Sequence, residues 1–253
     1  MLSKPIPAWI LVGAFLLTAM AGSINAVGFM GIHHQALSHM SGTATILSTY
    51  LSLGRLGLAG HAGMVLVSFF LGCVVSGIII RRSALQMGPR YGVALGLESC
   101  LLFGATIALR NGTNTGDYLA AMACGLQNAM ATTYSGAVIR TTHVTGIVTD
   151  LGLACGHWLR GEPVISRQIA IHLVLITGFI VGGIIGGFGY QWWDFNALLI
   201  PATITGLTGI GYALYRQLKN TPVTPARSMR GRAPRRRHPL HQTPRRDRDR
   251  ACP

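Results

Sequence analysis

Ser38-His39-Met40-Ser41-Gly42-Thr43-Ala44-Thr45-Ile46-Leu47-Ser48-Thr49-Tyr50-Leu51-Ser52-Leu53-Gly54-Arg55 is the stretch on which the fold turns. From Met40 to Gly54 it is apolar and uncharged, as a membrane segment would be. As a helix, however, it covers only about 23 Å, short of the about 30 Å of hydrocarbon that a full crossing needs. A second stretch, Val144 to Leu159, has the same character, bounded by His143 and Arg160 as the first is by His39 and Arg55. Both open on hydroxyl-rich sequence, Ser38 to Thr43 and Thr141-Thr142-His143-Val144-Thr145-Gly146. Ser and Thr there can cap a helix start, and Gly lets the backbone bend or pack closely.

Around these two segments lie windows of crossing length, near residues 8–30, 62–80, 91–109, 117–137, 168–190 and 196–215. Aromatic residues mark several edges, among them Trp9, Tyr91, Tyr118, Tyr190, Trp192 and Trp193, as expected at a headgroup interface. Lys4, the first apolar run and Ala19-Met20-Ala21 also fit a signal-peptide pattern, but the internal repeat described below makes this window part of the fold.

Composition agrees. Half of the 253 residues are hydrophobic and only 11% are charged, where a soluble domain carries about a quarter. The net charge of +14 is concentrated at one end: twelve of the 21 Lys and Arg lie from Arg216 onward. The first 215 residues hold five acids, Glu98, Asp117, Asp150, Glu162 and Asp194. High basicity therefore describes a tail and is no argument for nucleic-acid binding. The five cysteines show no C-x-x-C pair; four sit in apolar stretches and read as small structural hydrophobes, without a disulfide framework.

Charge placement tests whether the short segments cross. If all eight segments cross, basic residues divide almost evenly between the two sides. If the two short segments enter and leave on one side, Lys4, Arg81, Arg82, Arg90, Arg140, Arg160 and Arg167 fall inside, with only Arg55 and Arg110 outside. The positive-inside rule thus predicts an all-α, polytopic membrane helical bundle of six full crossings plus two short broken or re-entrant segments.

The chain also repeats. Asn25-Ala26, His39-Met40-Ser41-Gly42 and Thr45 recur as Asn128-Ala129, His143-Val144-Thr145-Gly146 and Thr149, at an offset of 103 or 104 residues. The same shift carries window 62–80 onto 166–184 and window 91–109 onto 195–213. Halves of about 8–109 and 112–215 each then hold three crossings and one short segment, which makes the repeat inverted. That arrangement recurs in secondary transporters, where interrupted segments bring helix ends to a solute site.

Four motifs in order, Ala21-Gly22-Ser23-Ile24-Asn25-Ala26-Val27-Gly28-Phe29, Ser38-His39-Met40-Ser41-Gly42, Gly125-Leu126-Gln127-Asn128-Ala129 and Arg140-Thr141-Thr142-His143-Val144-Thr145-Gly146, resemble the YoaK-like family of bacterial integral-membrane proteins, which carry a domain of unknown function. The resemblance runs from about residue 10 to residue 215. It implies a multi-pass protein of the bacterial inner membrane and no established substrate or catalytic residue. The family more often has Asp where this chain has Asn25, and often Asn where it has Thr43. A proton or cation step carried by that Asp in relatives would be altered here.

Ionisable groups inside spans are functional candidates by default. Glu98 lies mid-window, and Asp150 sits inside the second short segment opposite Ile46 of the first half. With the repeat mates His39 and His143, and with Asn25 and Asn128, they form the expected lining of a substrate site where the short segments meet. Each has a plainer role too: a bonded neutral carboxyl for Glu98, helix capping for the histidines, interhelical packing for the asparagines. Arg140 reads as a positive-inside anchor that could attract an anion, and His172 as a packing residue. His33-His34 reads as an interface loop. Metal-ligand spacings such as H-E-x-x-H are missing, so neither a metal nor a cofactor is expected. Gly182, Gly183, Gly186 and Gly187 mark close helix packing, within the bundle or between copies of the chain.

The transmembrane domain is expected to span residues 1–218, with residues 219–253 as a basic, disordered cytoplasmic tail whose Arg groups favour anionic lipid headgroups. Nucleic acid is not an expected partner, because aromatic residues for stacking are missing there. The leading functional expectation is a transporter or channel for a small solute or ion, with both termini cytoplasmic. The alternative is a non-catalytic membrane scaffold or sensor acting through the tail. An enzyme is not expected, since no nucleophile–base pair appears.

Overall fold

A computed structural model of the protein describes residues 8–31, 33–80, 90–135 and 139–220. Lys4, Arg81, Arg82 and the tail from residue 221 lie outside the described residues. Within them the chain forms α1 (Ala8–Met30), α2 (Met40–Ser52), α3 (Leu56–Ile79), α4 (Arg90–Arg110), α5 (Thr115–Ser135), α6 (Val144–Leu159), α7 (Ser166–Trp193) and α8 (Leu199–Asn220). A 3₁₀ turn, Asp194–Leu198, joins α7 to α8. The six long windows fall on α1, α3, α4, α5, α7 and α8, and the two short segments are α2 and α6.

Four stretches are long and apolar enough to cross a membrane: α1, α3, α4 and the run Ser166–Leu218 that contains α7 and α8. Asp117, Gln127 and Asn128 make α5 more polar than these. The last run is not one straight rod. Asp194 takes φ 53°, and a Cβ on Gly189 would lie 3.2 Å from that of Ala197, so the chain turns back there. Large apolar side chains such as Phe70, Ile78, Ile184, Phe188 and Leu207 point outward, while Asn25, Glu98 and Gln127 are buried. Contiguous outward apolar surface of this kind fits hydrocarbon, not water.

Helix directions follow from which residues meet. The most extensive pairings are α1 with α7 and α3 with α5. Phe15, Ala19 and Ser23 meet Gly178, Gly182 and Gly186 in that order, so α1 and α7 run parallel. His61 meets Asp117 and Cys73 meets the Gly125 carbonyl, so α3 and α5 are parallel too. Leu109 faces Gly116 and Glu98 faces Gln127, which makes α4 antiparallel to α5. Ser99 Oγ donates to the Ala202 carbonyl at 2.7 Å and Gly92 faces Gly209, so α8 is antiparallel to α4. Together, α1, α4 and α7 point one way and α3, α5 and α8 the other. Hence α1 and α3, joined through α2, are opposed, as are α5 and α7, joined through α6. A full pass by either short helix would have made its flanking helices parallel.

The interfaces of the two halves correspond. A Cβ on Gly22 would lie 2.1 Å from the Phe179 carbonyl oxygen, and one on Gly125 would lie 2.0 Å from that of Phe69. Gly72 and Gly182 are likewise pressed onto the Met122 and Ala19 carbonyls. These pairs relate α3 to α7 by 110 residues, not the 104 expected for window 62–80. The difference is two three-residue insertions: α6 is 16 residues against 13 for α2, and the connection before α7 is longer than that before α3. The Gly182 and Gly186 contacts also place this glycine-rich face against α1, within the bundle.

Candidate functional site

Each short helix begins inside the bundle, and the two beginnings open into one cavity of about 800 Å³. Ser38, His39, Met40 and Ser41 line it from the first half, and Arg140, Thr142, His143, Val144 and Thr145 from the second. Phe69, Cys73 and Gly77 of α3 and Asn128, Thr132 and Thr133 of α5 form its walls. Among the described residues, the lining carries hydroxyl, imidazole and guanidinium groups but no carboxylate.

His39 and His143 occupy the N-cap positions of α2 and α6, yet neither makes a side-chain capping bond. The capping role expected of them is therefore absent, and the reason is steric. Each imidazole folds over the glycine three residues on: a Cβ on Gly42 would sit 2.2 Å from His39 Cδ2, and one on Gly146 would sit 2.0 Å from His143 Nε2. Only glycine leaves room for this ring position. The first-turn N–H groups of both helices consequently keep no side-chain acceptor and face the cavity side. Beside them, Ser38 is 3% exposed and its Oγ has no hydrogen-bond partner.

The asparagines act one step back. Asn25 Oδ1 accepts from the Ser38 backbone N–H at 2.8 Å, and Asn128 Oδ1 accepts from Thr141 Oγ1 at 3.5 Å. Each thus ties a long helix to the residue 13 positions on, at the lead-in to a short helix. Asn128 also lines the cavity, whereas Asn25 does not.

Two expected site residues lie elsewhere. The Asp150 side chain is 57% exposed, its Oδ2 3.7 Å from His172 Nε2, so it faces outward between α6 and α7 and not into the cavity. Helical periodicity explains this, since Asp150 is five residues beyond the lining residue Thr145, about 140° further round α6. Glu98 is fully buried and accepts at Oε1 from Gln127 Nε2 at 2.9 Å, joining α4 to α5. It too is outside the lining. The site expected from six residues therefore gathers His39, His143 and Asn128 around one space, with Asn25 supporting it.

Residues 13–211 match the family model described as protein of unknown function, DUF1275. The chain belongs to the DUF1275 family. Comparison with curated proteins and with solved structures gives no match. The DUF1275 match takes in both short helices, both tethering asparagines and the cavity, and stops before the basic tail.

The DUF1275 region holds one cluster that sequence reasoning missed. His33, expected in an interface loop, stands with its ring centroid 4.1 Å from that of His61. His61 Nε2 lies 3.4 Å from Asp117 Oδ2, and His33 Nε2 is 2.9 Å from Asn114 Oδ1. The three come from the loop after α1, the first turns of α3 and the start of α5. No local spacing announces them, because tertiary packing alone brings 33, 61 and 117 together.

Proposed function

We propose that this DUF1275 protein is a multi-pass transporter or channel for a small anion, whose path runs through the cavity between α2 and α6. The observation that carries this reading is the pair of uncapped helix starts opening into one carboxylate-free cavity beside Arg140. A helix N-terminus behaves as roughly half a positive charge and presents free N–H donors, so two of them and a guanidinium favour an anion over a cation. The buried, unpartnered Ser38 Oγ supplies a further hydroxyl to such a solute. Asp150 and Glu98 are not part of this path.

Six crossings and inverted halves complete the reading. The alternating helix directions, the corresponding glycine interfaces and the matched Asn and His-Gly arrangements all support it. In this topology α2 and α6 are re-entrant from opposite sides, and both termini lie on one side. The basic tail makes that side the cytoplasm, by the positive-inside rule, and the four motifs favour the YoaK-like branch and a bacterial inner membrane. No catalysis is assigned to the chain.

The test is anion entry into proteoliposomes, followed with a halide-quenched dye for chloride and by pH change for formate, against potassium in parallel. Anion flux above protein-free vesicles, lowered severalfold by Arg140→Gln, is the expected result. Flux that is absent, or larger for potassium than for either anion, would sink the proposal. The tail's charge favours a second reading, a scaffold or sensor working through residues 219–253. Removing those residues abolishes such a function but leaves transport intact.

A further inference from the structure

The geometry points to a binding site for a divalent transition-metal ion of the zinc type, held by His33, His61 and Asp117 at the end of the bundle where α3 and α5 begin. One donor atom from each of the three lies within 4.8 Å of the other two. Tetrahedral zinc with nitrogen and oxygen ligands at about 2.0–2.1 Å sets neighbouring donors about 3.3 Å apart. The 3.4 Å between His61 Nε2 and Asp117 Oδ2 already matches that edge. His33, half-buried on the loop after α1, brings a donor within 4.8 Å of the other two, so binding would draw it in by up to about 1.5 Å to reach that edge.

An ordinary His–Asp hydrogen bond does not account for the pair. Although Nε2 and Oδ2 are close, they are not aligned for one, and His61 Nε2 has no hydrogen-bond partner despite the residue being only 7% exposed. The other nitrogen, Nδ1, is 3.1 Å from Tyr118 Oη. With Nδ1–H donating to that oxygen, Nε2 turns its lone pair into the buried space beside the carboxylate oxygen, off the direct line between them. Two electron-rich atoms bordering one buried space suit a cation that both can reach. Tyr118 then orients the ligating imidazole, as partners behind a metal site do. Imidazole and carboxylate donors with no thiolate suit zinc and its first-row neighbours better than calcium or magnesium. Three protein ligands leave a fourth position for water or another small ligand.

The experiment uses the full-length protein in detergent, with any affinity tag removed, stripped with chelator and then reloaded with Zn²⁺. Metal analysis after dialysis is expected to find one Zn²⁺ per chain, and His33→Ala and Asp117→Asn each to weaken binding by about 10-fold or more. His33→Ala alters a half-buried loop residue, so its unchanged elution profile separates lost binding from lost folding. Co²⁺ loading adds a spectroscopic check: the visible bands of a four-coordinate ion should appear in the wild type and vanish in both variants. A wild type that takes up no Zn²⁺, which would make this a plain buried His–Asp pair, overturns the inference. So does uptake as tight in either variant as in the wild type, which would place the ion on His238, His241 or a cysteine.

Discussion

His39 and His143 are held in the same posture by the same device, a ring laid over a glycine three residues later. Asn25 and Asn128 repeat a second device, a side-chain oxygen that holds the chain 13 residues on. The Asn25 bond is the better-formed of the two, and it saturates a buried backbone N–H. Asn25→Ala should therefore cost about 1–3 kcal/mol, because that donor is left without an acceptor. Asn25→Asp keeps an acceptor oxygen in place and should melt close to the wild type. Thermal unfolding in detergent, followed by intrinsic tryptophan fluorescence, distinguishes them, and an equally mild Ala variant would refute the tether. These motifs were legible in the sequence because each repeats locally. The function of Asn25 was not, since a tether and a lining residue look the same until the partner is known.

At the scale of elements, glycine sets how closely the long helices approach. A Cβ on Gly182 would meet the Ala19 carbonyl oxygen at 1.8 Å, backbone against backbone, so no rotamer change relieves it. Gly182→Leu should separate α1 from α7 and destabilise the fold by about 1–3 kcal/mol or more. Gly211→Ala, with nothing within 4 Å of the added Cβ, should leave the melting temperature unchanged. Both are read by melting and by elution profile, and equal behaviour would contradict the packing described. Helix directions yield a second expectation. Single cysteines at Gly54 and Gly161, in a background lacking the native ones, should react with an impermeant maleimide from opposite sides of the membrane. Labelling from one side would mean that α6 crosses fully, because α3, α4, α5 and α6 are the helices between the two positions. Element existence and type were readable from length and apolarity. The 110-residue register of α3 and α7 was not, since insertions in a short helix and its following connection leave no mark in an apolar window.

Over the whole molecule, function should separate cleanly from the tail. Truncation after Leu218 removes eleven of the 21 basic side chains, yet it leaves every residue of the cavity in place. Anion flux in proteoliposomes should stay near the full-length rate, while binding to vesicles rich in anionic lipid weakens, in line with about 1 kcal/mol for each Arg near the surface. Flux lost on truncation would favour the tail as the working part. Asp150→Ala should also leave flux unchanged, because that carboxylate pairs with His172 away from the cavity.

The sequence by itself determined the all-helical build, the membrane-like composition, the two short helices and the sites of their tethers. Those properties are local: they follow from run length, side-chain polarity and residues that recur at one spacing. Tertiary structure decided which polar residues share a space. It set His39, His143, Asn128 and Arg140 around one cavity, turned Asp150 outward and buried Glu98 against Gln127. It also assembled His33, His61 and Asp117 from three separate elements. Helix rotation and crossing choose a residue's neighbours, and no window along the chain encodes either.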